Sequence, residues 1–344
     1  MKTQLLKNTT EDIQKAGKIL ADGGLVAIPT ETVYGLAADA LNGEAVAKIF
    51  AAKGRPMDNP LIVHIADFAD IEKLDLVSEI PASAYKLAEK FWPGALTIIM
   101  KKSEAIPDEV SAGLNTVAIR FPSHIAAQKT IKAAGTPLAA PSANLSGSPS
   151  PTTAQHVMND MYGKIEAVLD GGACEVGLES TVITLATDVP RVLRPGGITV
   201  EQLREVLGEV EVDQAVTDRL KEGQQAASPG MKYKHYAPKA NVILLKCSDS
   251  EYIDYVNANS GGGIAALCCD EDIELLNVKT ISLGKRGDYE AQAQRLFDSL
   301  RKIDDCKDVT TVFSRLPSTD GVGLAVYNRL IRAAGFEVID LEKS

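Results

Sequence analysis

Two cations stand two residues apart in Lys53-Gly54-Arg55-Pro56, with Asn59-Pro60 just behind them. Gly54 and Pro56 stop the helical spacing of 45–53, so Lys53 and Arg55 fall at a helix C-terminus. Cations complement the helix dipole there. The same pair, held at a rigid break, is also a ready triphosphate clamp. The run Pro29-Thr30-Glu31-Thr32-Val33-Tyr34-Gly35 crowds hydroxyls, a carboxylate and a phenol behind an apolar strand. A strand end that simply turns would use the same β-branched residues. His64 lies inside the apolar run 61–65, either as a satisfied core histidine or as a ligand. Arg120 interrupts the apolar strand in Thr116-Val117-Ala118-Ile119-Arg120-Phe121-Pro122. A half-buried Arg needs an anionic partner, which is a structural Asp or Glu or a substrate carboxylate.

Further along, Ala139-Ala140-Pro141-Ser142-Ala143-Asn144-Leu145-Ser146-Gly147 is built of small residues that let a backbone approach a ligand closely. Ser142, Asn144, Ser146 and Ser150 offer donors to phosphate oxygens. A flexible Ser/Pro linker would look similar, but strongly patterned elements flank it. Gly177-Leu178-Glu179-Ser180-Thr181-Val182 and Leu193-Arg194-Pro195-Gly196-Gly197 complete the set, with Arg194 a candidate for phosphate or adenine. Glu31 and Glu179 either orient cations and hydroxyls or cap a turn. Ligand sites in open α/β folds are made from such strand ends and loops.

The elements that must carry these groups alternate. Short apolar runs at 25–28, 61–65, 96–100, 117–121, 138–140, 168–170, 181–185 and 191–193 read as strands. Helical spacing recurs at 45–53, 82–91, 123–134, 152–161 and 200–207. The expectation is an α/β domain over 1–208 with a largely buried sheet. Residues 209–240 are polar and aperiodic around Ser228-Pro229-Gly230, as a linker is, with a short helix open near 213–222. Beyond them, strands at 242–245, 264–268, 278–283 and 309–313 alternate with helices at 250–257, 288–304 and 323–334. That pattern predicts a Rossmann-like open parallel sheet over 241–344. Gly261-Gly262-Gly263 precedes a strand instead of following one, so it is a turn and no dinucleotide fingerprint. No GxxxxGK[ST] occurs, which excludes a P-loop NTPase by pattern.

The 344 residues carry a formal net charge of −10. Lys and Arg number 19 against 24 Asp and Glu up to Gly208, and 17 against 22 after it. Neither half is a basic nucleic-acid domain in bulk, so any RNA contact needs a local patch. No stretch approaches the roughly 20 apolar residues of a membrane span. The five cysteines form no CxxC pair and read as reduced, mostly buried thiols of a cytoplasmic protein.

In order and spacing, PTETVYGL, KGRP with NPL, FWPGALT, TVAIRFP, APSANLSG, GLESTV and LRPGG resemble the YrdC/YwlC threonylcarbamoyl-AMP synthases. The resemblance covers about 21–208. SPGMKYKHYAP at 228–238 and the Rossmann-like tail are similar to the longer, two-domain branch. The resemblance implies a twisted mixed sheet whose helices enclose one large cavity for threonine and ATP. At matching positions, Thr32, His64, Arg120, Ala140 and Ser180 would hold L-threonine. Arg55, Asn59, Thr116, Ser142, Asn144, Ser150 and Arg194 would hold ATP, with Tyr236 of the linker closing over the nucleotide. Lys53 and Arg55 would act in catalysis.

The implied reaction is nucleotidyl transfer from ATP to the carbamate of threonine and bicarbonate, with Mg²⁺ on the nucleotide and no resident metal site. Its product would feed a tRNA-modifying transferase that makes N6-threonylcarbamoyladenosine in ANN-decoding tRNAs. Such a step needs alignment and charge neutralisation more than covalent catalysis. The motifs contain no Ser-His-Asp set, and none is required. The rival is a non-catalytic module for double-stranded RNA or tRNA, with Lys53, Arg55, Lys232 and Lys234 in one groove. The bulk charge weighs against it.

Overall fold

In a computed structural model the protein is described over residues 1–218 and 236–343. Residues 219–235, with most of the SPGMKYKHYAP motif, lie outside that range. By chain contacts the molecule divides into two units. One comprises Met1–Ser146 and Ser150–Met231. The other comprises Gly147–Pro149 and Lys232–Ser344.

The first unit holds strands β1 (Gln4–Lys7), β2 (Val26–Ile28), β3 (Gly35–Asp39), β4 (Ile62–His64), β5 (Leu96–Lys101), β6 (Thr116–Arg120), β7 (Leu138–Ala139), β8 (Ala167–Asp170), β9 (Thr181–Thr184), β10 (Arg191–Arg194) and β11 (Glu211–Val212). They form one mixed sheet in the order β1-β8-β2-β3-β7-β4-β6-β5-β9-β10-β11. Residues 211–212, in the stretch expected as linker, thus pair with β10 as the last strand of this sheet. A single 3-10 turn, Gln214–Val216, stands near the position open to a short helix.

Register explains how distant motifs meet. β4 runs parallel to β6 with His64 opposite Arg120. β5 runs antiparallel to β6 with Thr97 opposite Arg120, and Val182 of β9 stands opposite Thr97. Cross-strand neighbours in register point to the same side of the sheet. His64, Arg120 and Thr97 therefore form one row. Most of the strand around them is buried Ile, Val, Leu and Ala, including Ile62, Val63, Ile98 and Ile119.

Two N-terminal elements went unread in the sequence. β1 is a four-residue edge strand rich in Gln and Lys. The helix Thr10–Ala21 has a full start signal: Thr9 accepts a hydrogen bond from the Asp12 amide, and Glu11 and Asp12 fill the first turn. Its buried stripe is Ile13, Ala16, Gly17 and Leu20. β3 escaped notice for another reason. Leu-Ala-Ala-Asp lacks β-branched residues, and tertiary pairing between β2 and β7 makes it a strand. The cysteines are free, as expected, but only Cys174 and Cys268 are buried.

The second unit holds β12 (Asn241–Lys246), β13 (Ile264–Cys268), β14 (Lys279–Ser282), β15 (Thr311–Arg315) and β16 (Val338–Asp340). They pair in the order β14-β13-β15-β12-β16, all in parallel. Helices Asp249–Ala258, Tyr289–Asp305 and Gly323–Ala333 connect them. No helix among the described residues is long and apolar enough to cross a membrane.

The first unit's helices Thr10–Ala21 and Ile125–Ala134 pack with almost no gap at Gly17. A Cβ built there would stand 2.5 Å from the Ala133 Cβ and 2.6 Å from its carbonyl carbon. Gly17→Ala is expected to lower the unfolding free energy by about 1–3 kcal/mol. At an open helix position the same change would stabilise by about 1 kcal/mol. Urea unfolding followed by circular dichroism gives the sign, and a gain in stability would show that the two helices part at no cost.

Candidate functional site

Arg120 ends β6 almost fully buried, 4 % exposed. Its Nη2 donates to Glu31 Oε1 at 2.7 Å, and its Nε reaches the Gly94 carbonyl at 3.4 Å. The other Glu31 oxygen accepts from the Ser123 amide at 3.2 Å. Of the two partners open to Arg120 in the sequence, the structural carboxylate is present. Nη1 makes no hydrogen bond among the described residues, so one arm of the guanidinium remains for a second anion. Burial works to raise the Glu31 pKa. The Arg120 charge and hydrogen bonds outweigh it and hold the carboxyl below its usual value.

His64, beside Arg120 in the sheet, has its Nδ1 3.1 Å from the Ile62 carbonyl. Burial and then the Arg120 charge push its pKa down to about 3, so the ring is neutral at ordinary pH. Thr32 belongs to a tight loop in which Thr30 Oγ1 lies 2.9 Å from Thr32 Oγ1 and donates to the Val33 carbonyl at 2.6 Å. The Glu31–Arg120 pair ties this loop to the end of β6. Ala140 follows β7, with its amide on the Ile62 carbonyl at 2.9 Å. Ser180 Oγ is 2.7 Å from Thr97 Oγ1 and accepts from Arg194 Nη2 at 3.1 Å, while Arg194 Nε donates to the Ser180 carbonyl at 3.1 Å.

Lys53 is the last residue of the helix Gly43–Lys53, which Gly54 terminates in the left-handed conformation at φ 62°. It is not merely a surface cap. The ammonium is buried and donates to the Ser142 carbonyl and to the Asn144 carbonyl, the latter at 2.6 Å. Burial, and then neighbouring Arg55, push its pKa down to about 7. The loop it holds runs alongside the Thr30–Gly35 loop: Leu36 donates to the Pro141 carbonyl at 2.7 Å, Ala143 to Tyr34 at 2.8 Å, and Tyr34 to Pro151 at 2.9 Å. Ser146 N returns to the Lys53 carbonyl at 3.2 Å. At the far end of the loop, buried Ser150 gives its hydroxyl proton to Glu179.

The register and these bonds thus join Thr32, His64, Arg120, Ala140, Ser180 and Arg194 around one region of the sheet, and Lys53, Ser142, Asn144 and Ser150 along one loop. Thr116 stands apart. It begins β6, so it is about 13 Å from Arg120 at roughly 3.3 Å per strand residue. Asn59 is buried. Tyr236 is buried in the second unit with φ 64°, its ring 5.2 Å from Phe297 and 5.7 Å below the Arg329 guanidinium. The sequence left Glu31 open between orienting a cation and capping a turn, of which the first is found, and gave Thr97, inside FWPGALT, no role of its own. A lone hydroxyl inside Leu96-Thr97-Ile98-Ile99 was the available signal. No group of three His, Cys, Asp or Glu side chains that could hold a metal exists among the described residues.

The Sua5_yciO_yrdC family model, described as Telomere recombination, matches residues 18–196, and the model described as Threonylcarbamoyl-AMP synthase, C-terminal domain matches residues 198–335. A threonylcarbamoyl-AMP synthase of Bacillus subtilis (strain 168) is 45 % identical over 98 % of this chain and 97 % of its own. One of Pyrococcus abyssi (strain GE5 / Orsay) is 43 % identical over 95 % of each. The chain belongs to the threonylcarbamoyl-AMP synthase family. A crystal structure of P. abyssi Sua5 complexed with L-threonine superposes with a TM-score of 0.91 at 42 % identity, covering 99 % of this chain and 100 % of that one.

The buried pair of this synthase-family chain gives a test of its frame. Glu31→Gln leaves Arg120 charged and buried without a counterion, at an expected cost of about 3 kcal/mol near neutral pH. Because the folded pKa of Glu31 lies below the unfolded one, the wild-type advantage is complete above the ordinary carboxylate value of about 4. It is lost as pH falls through the lowered folded value. Unfolding titrations of both proteins from pH 7 downward should show the gap closing. A gap that stays constant to the lowest pH would contradict an ionised Glu31.

Proposed function

We propose that this chain makes L-threonylcarbamoyl-AMP and pyrophosphate from L-threonine, bicarbonate and ATP. The observation that carries the reading is the full-length similarity to Sua5 complexed with L-threonine, together with a buried arginine that has one arm to spare. In this reading the threonine carboxylate takes Nη1 of Arg120, and Thr32, neutral His64, Ala140 and Ser180 surround its amine and hydroxyl. Arg55, Asn59, Thr116, Ser142, Asn144, Ser150 and Arg194 hold the nucleotide.

The chemistry follows from charge. The threonine amine adds to bicarbonate with loss of water and gives a carbamate. A carbamate oxygen forms a bond to the α-phosphorus, the bond from that phosphorus to the β-bridging oxygen breaks, and pyrophosphate leaves. Negative charge accumulates on phosphate oxygens as it does so. In this reading Lys53 and Arg55 bring two basic groups to the phosphates, and a phosphate anion beside Lys53 favours its charged form. In the same reading Mg²⁺ arrives on the nucleotide's phosphates with most of its water retained. When bound, Mg²⁺ supplies further neutralisation of the triphosphate.

The product is a mixed anhydride, labile in water, so a transferase that modifies tRNA in the same cytoplasmic compartment is the consumer this reading requires.

Pyrophosphate release should depend on threonine and on bicarbonate, and a threonine-independent release would overturn the proposal. In the same assay, Arg120→Ala should raise the KM for threonine at least tenfold more than the KM for ATP, since the charge-assisted hydrogen bond from Nη1 is lost. Equal rises would remove the carboxylate role. Lys53→Ala should lower kcat by about 10²-fold, the scale of one lost charge stabiliser in the transition state. A change confined to KM would limit Lys53 to ground-state binding.

A further inference from the structure

Ser150 with Glu179, and Ser180 with Arg194, form two buried hydrogen-bonded pairs in the first unit, joined by the Glu179–Ser180 peptide. Ser150 is 0 % exposed, Glu179 6 %, Ser180 1 % and Arg194 5 %. The Ser150 hydroxyl has a single proton, and it is donated to Glu179 Oε1. The next residue of the chain, Ser180, is held by both its hydroxyl and its carbonyl to Arg194, each at 3.1 Å. Thr97 Oγ1 holds the same hydroxyl at 2.7 Å. The Glu179–Thr181 backbone has no slack. A Cβ at Gly196 would stand 2.4 Å from the Thr181 amide and 2.6 Å from the Glu179 carbonyl. The Thr181 amide is itself fixed to the Ala95 carbonyl at 3.0 Å, and its hydroxyl to the Ile198 carbonyl at 2.6 Å.

On the functional reading above, these joined pairs contain members of both subsites. Ser150 and Arg194 belong to the nucleotide side and Ser180 to the threonine side, with Glu179 between them. We propose that Glu179 is a positioning residue that couples the two subsites, so that threonine and ATP each tighten the binding of the other. A shift of the Ser180 oxygen toward threonine would stretch the bond it accepts from Arg194. Ser150 cannot shift with the nucleotide without pulling on Glu179 and so on the Glu179–Thr181 backbone. The first substrate to bind fixes these shared groups, and the second meets a loop already ordered. By linkage the factor must be the same in both directions.

The test uses the full-length protein, L-threonine and a non-hydrolysable ATP analogue in isothermal titration calorimetry. The Kd of each is measured without and with saturating amounts of the other, and circular dichroism confirms folding of every variant. The wild type is expected to show a coupling factor of about 5–150, the usual span for two linked sites. Glu179→Ala should bring the factor close to one. Glu179→Gln should keep most of it, because the amide oxygen still accepts the Ser150 proton. A role limited to stability would not produce that split. If Glu179→Ala does not fold, Ser150→Ala removes the same bond from its other end and should lower the factor likewise. A wild-type factor of one, or a wild-type factor retained in Glu179→Ala or in Ser150→Ala, overturns the proposal. Threonine-dependent pyrophosphate release by the wild type separates the two levels: if it persists while coupling is absent, only this inference falls.

Discussion

The ion pair between Glu31 and Arg120 is the constraint on which the site's frame depends. Neither partner reaches solvent appreciably, so each would be costly to bury alone. Together they fasten a loop to the end of a central strand. That loop carries Thr30 and Thr32 and then turns into β3, whose backbone supports the Pro141–Ala143 segment. One charge interaction therefore sets the distance between the first polar motif, the β4–β6 strand ends and the small-residue loop. The pair also divides Arg120 in two. The arm that faces Glu31 is structural, and the arm left over is the one chemistry can use. Its charge reaches His64 as well, where it adds to burial in keeping the imidazole neutral.

Lys53 applies the same principle on the side the proposal gives to the nucleotide. A buried ammonium beside a second cation is unfavourable without an anion, and its lowered pKa is the measure of that. The two carbonyls of Ser142 and Asn144 satisfy its protons but bring no full negative charge. The helix end thus organises the loop through hydrogen bonds. The acidic residues that reach Lys53, Asp160 and Glu179, act in the opposite sense and more weakly than burial and Arg55.

Much of this was legible in the chain. The helices Ala82–Phe91 and Val200–Leu207 and the strand Ile264–Cys268 coincide with their apolar spacing residue for residue. Gly54 ends its helix as a left-handed cap, as the Lys-Gly-Arg-Pro pattern implied. Arg120's need for an anion was also readable from one charge in an apolar strand. What was not readable was which carboxylate supplied it. Glu31 is 89 residues away in sequence, and only strand order and register bring it there. Thr97 was lost for the same reason: its meaning comes from Arg120 on one side and Ser180 on the other. β3 fell to a weak local pattern, because alanines become a strand only when two neighbours supply the pairing.

The second unit shows how far a fold can be kept while the usual use of its strand ends is given up. Open parallel sheets bind ligands at the carboxyl ends of their strands. Here Arg315, the last residue of β15, donates to both oxygens of buried Asp272 and stacks 3.9 Å over the Tyr252 ring. Arg286 shares Asp272 and pairs with Asp249 as well. The helix that starts after β12 is closed by a Ser248–Glu251 capping box, and Asp249 and Glu251 place two carboxylates in its first turn. An anion approaching that end would meet carboxylates before it met donors. Arg286, Arg315, Asp249 and Asp272 at this rim are therefore committed to one another.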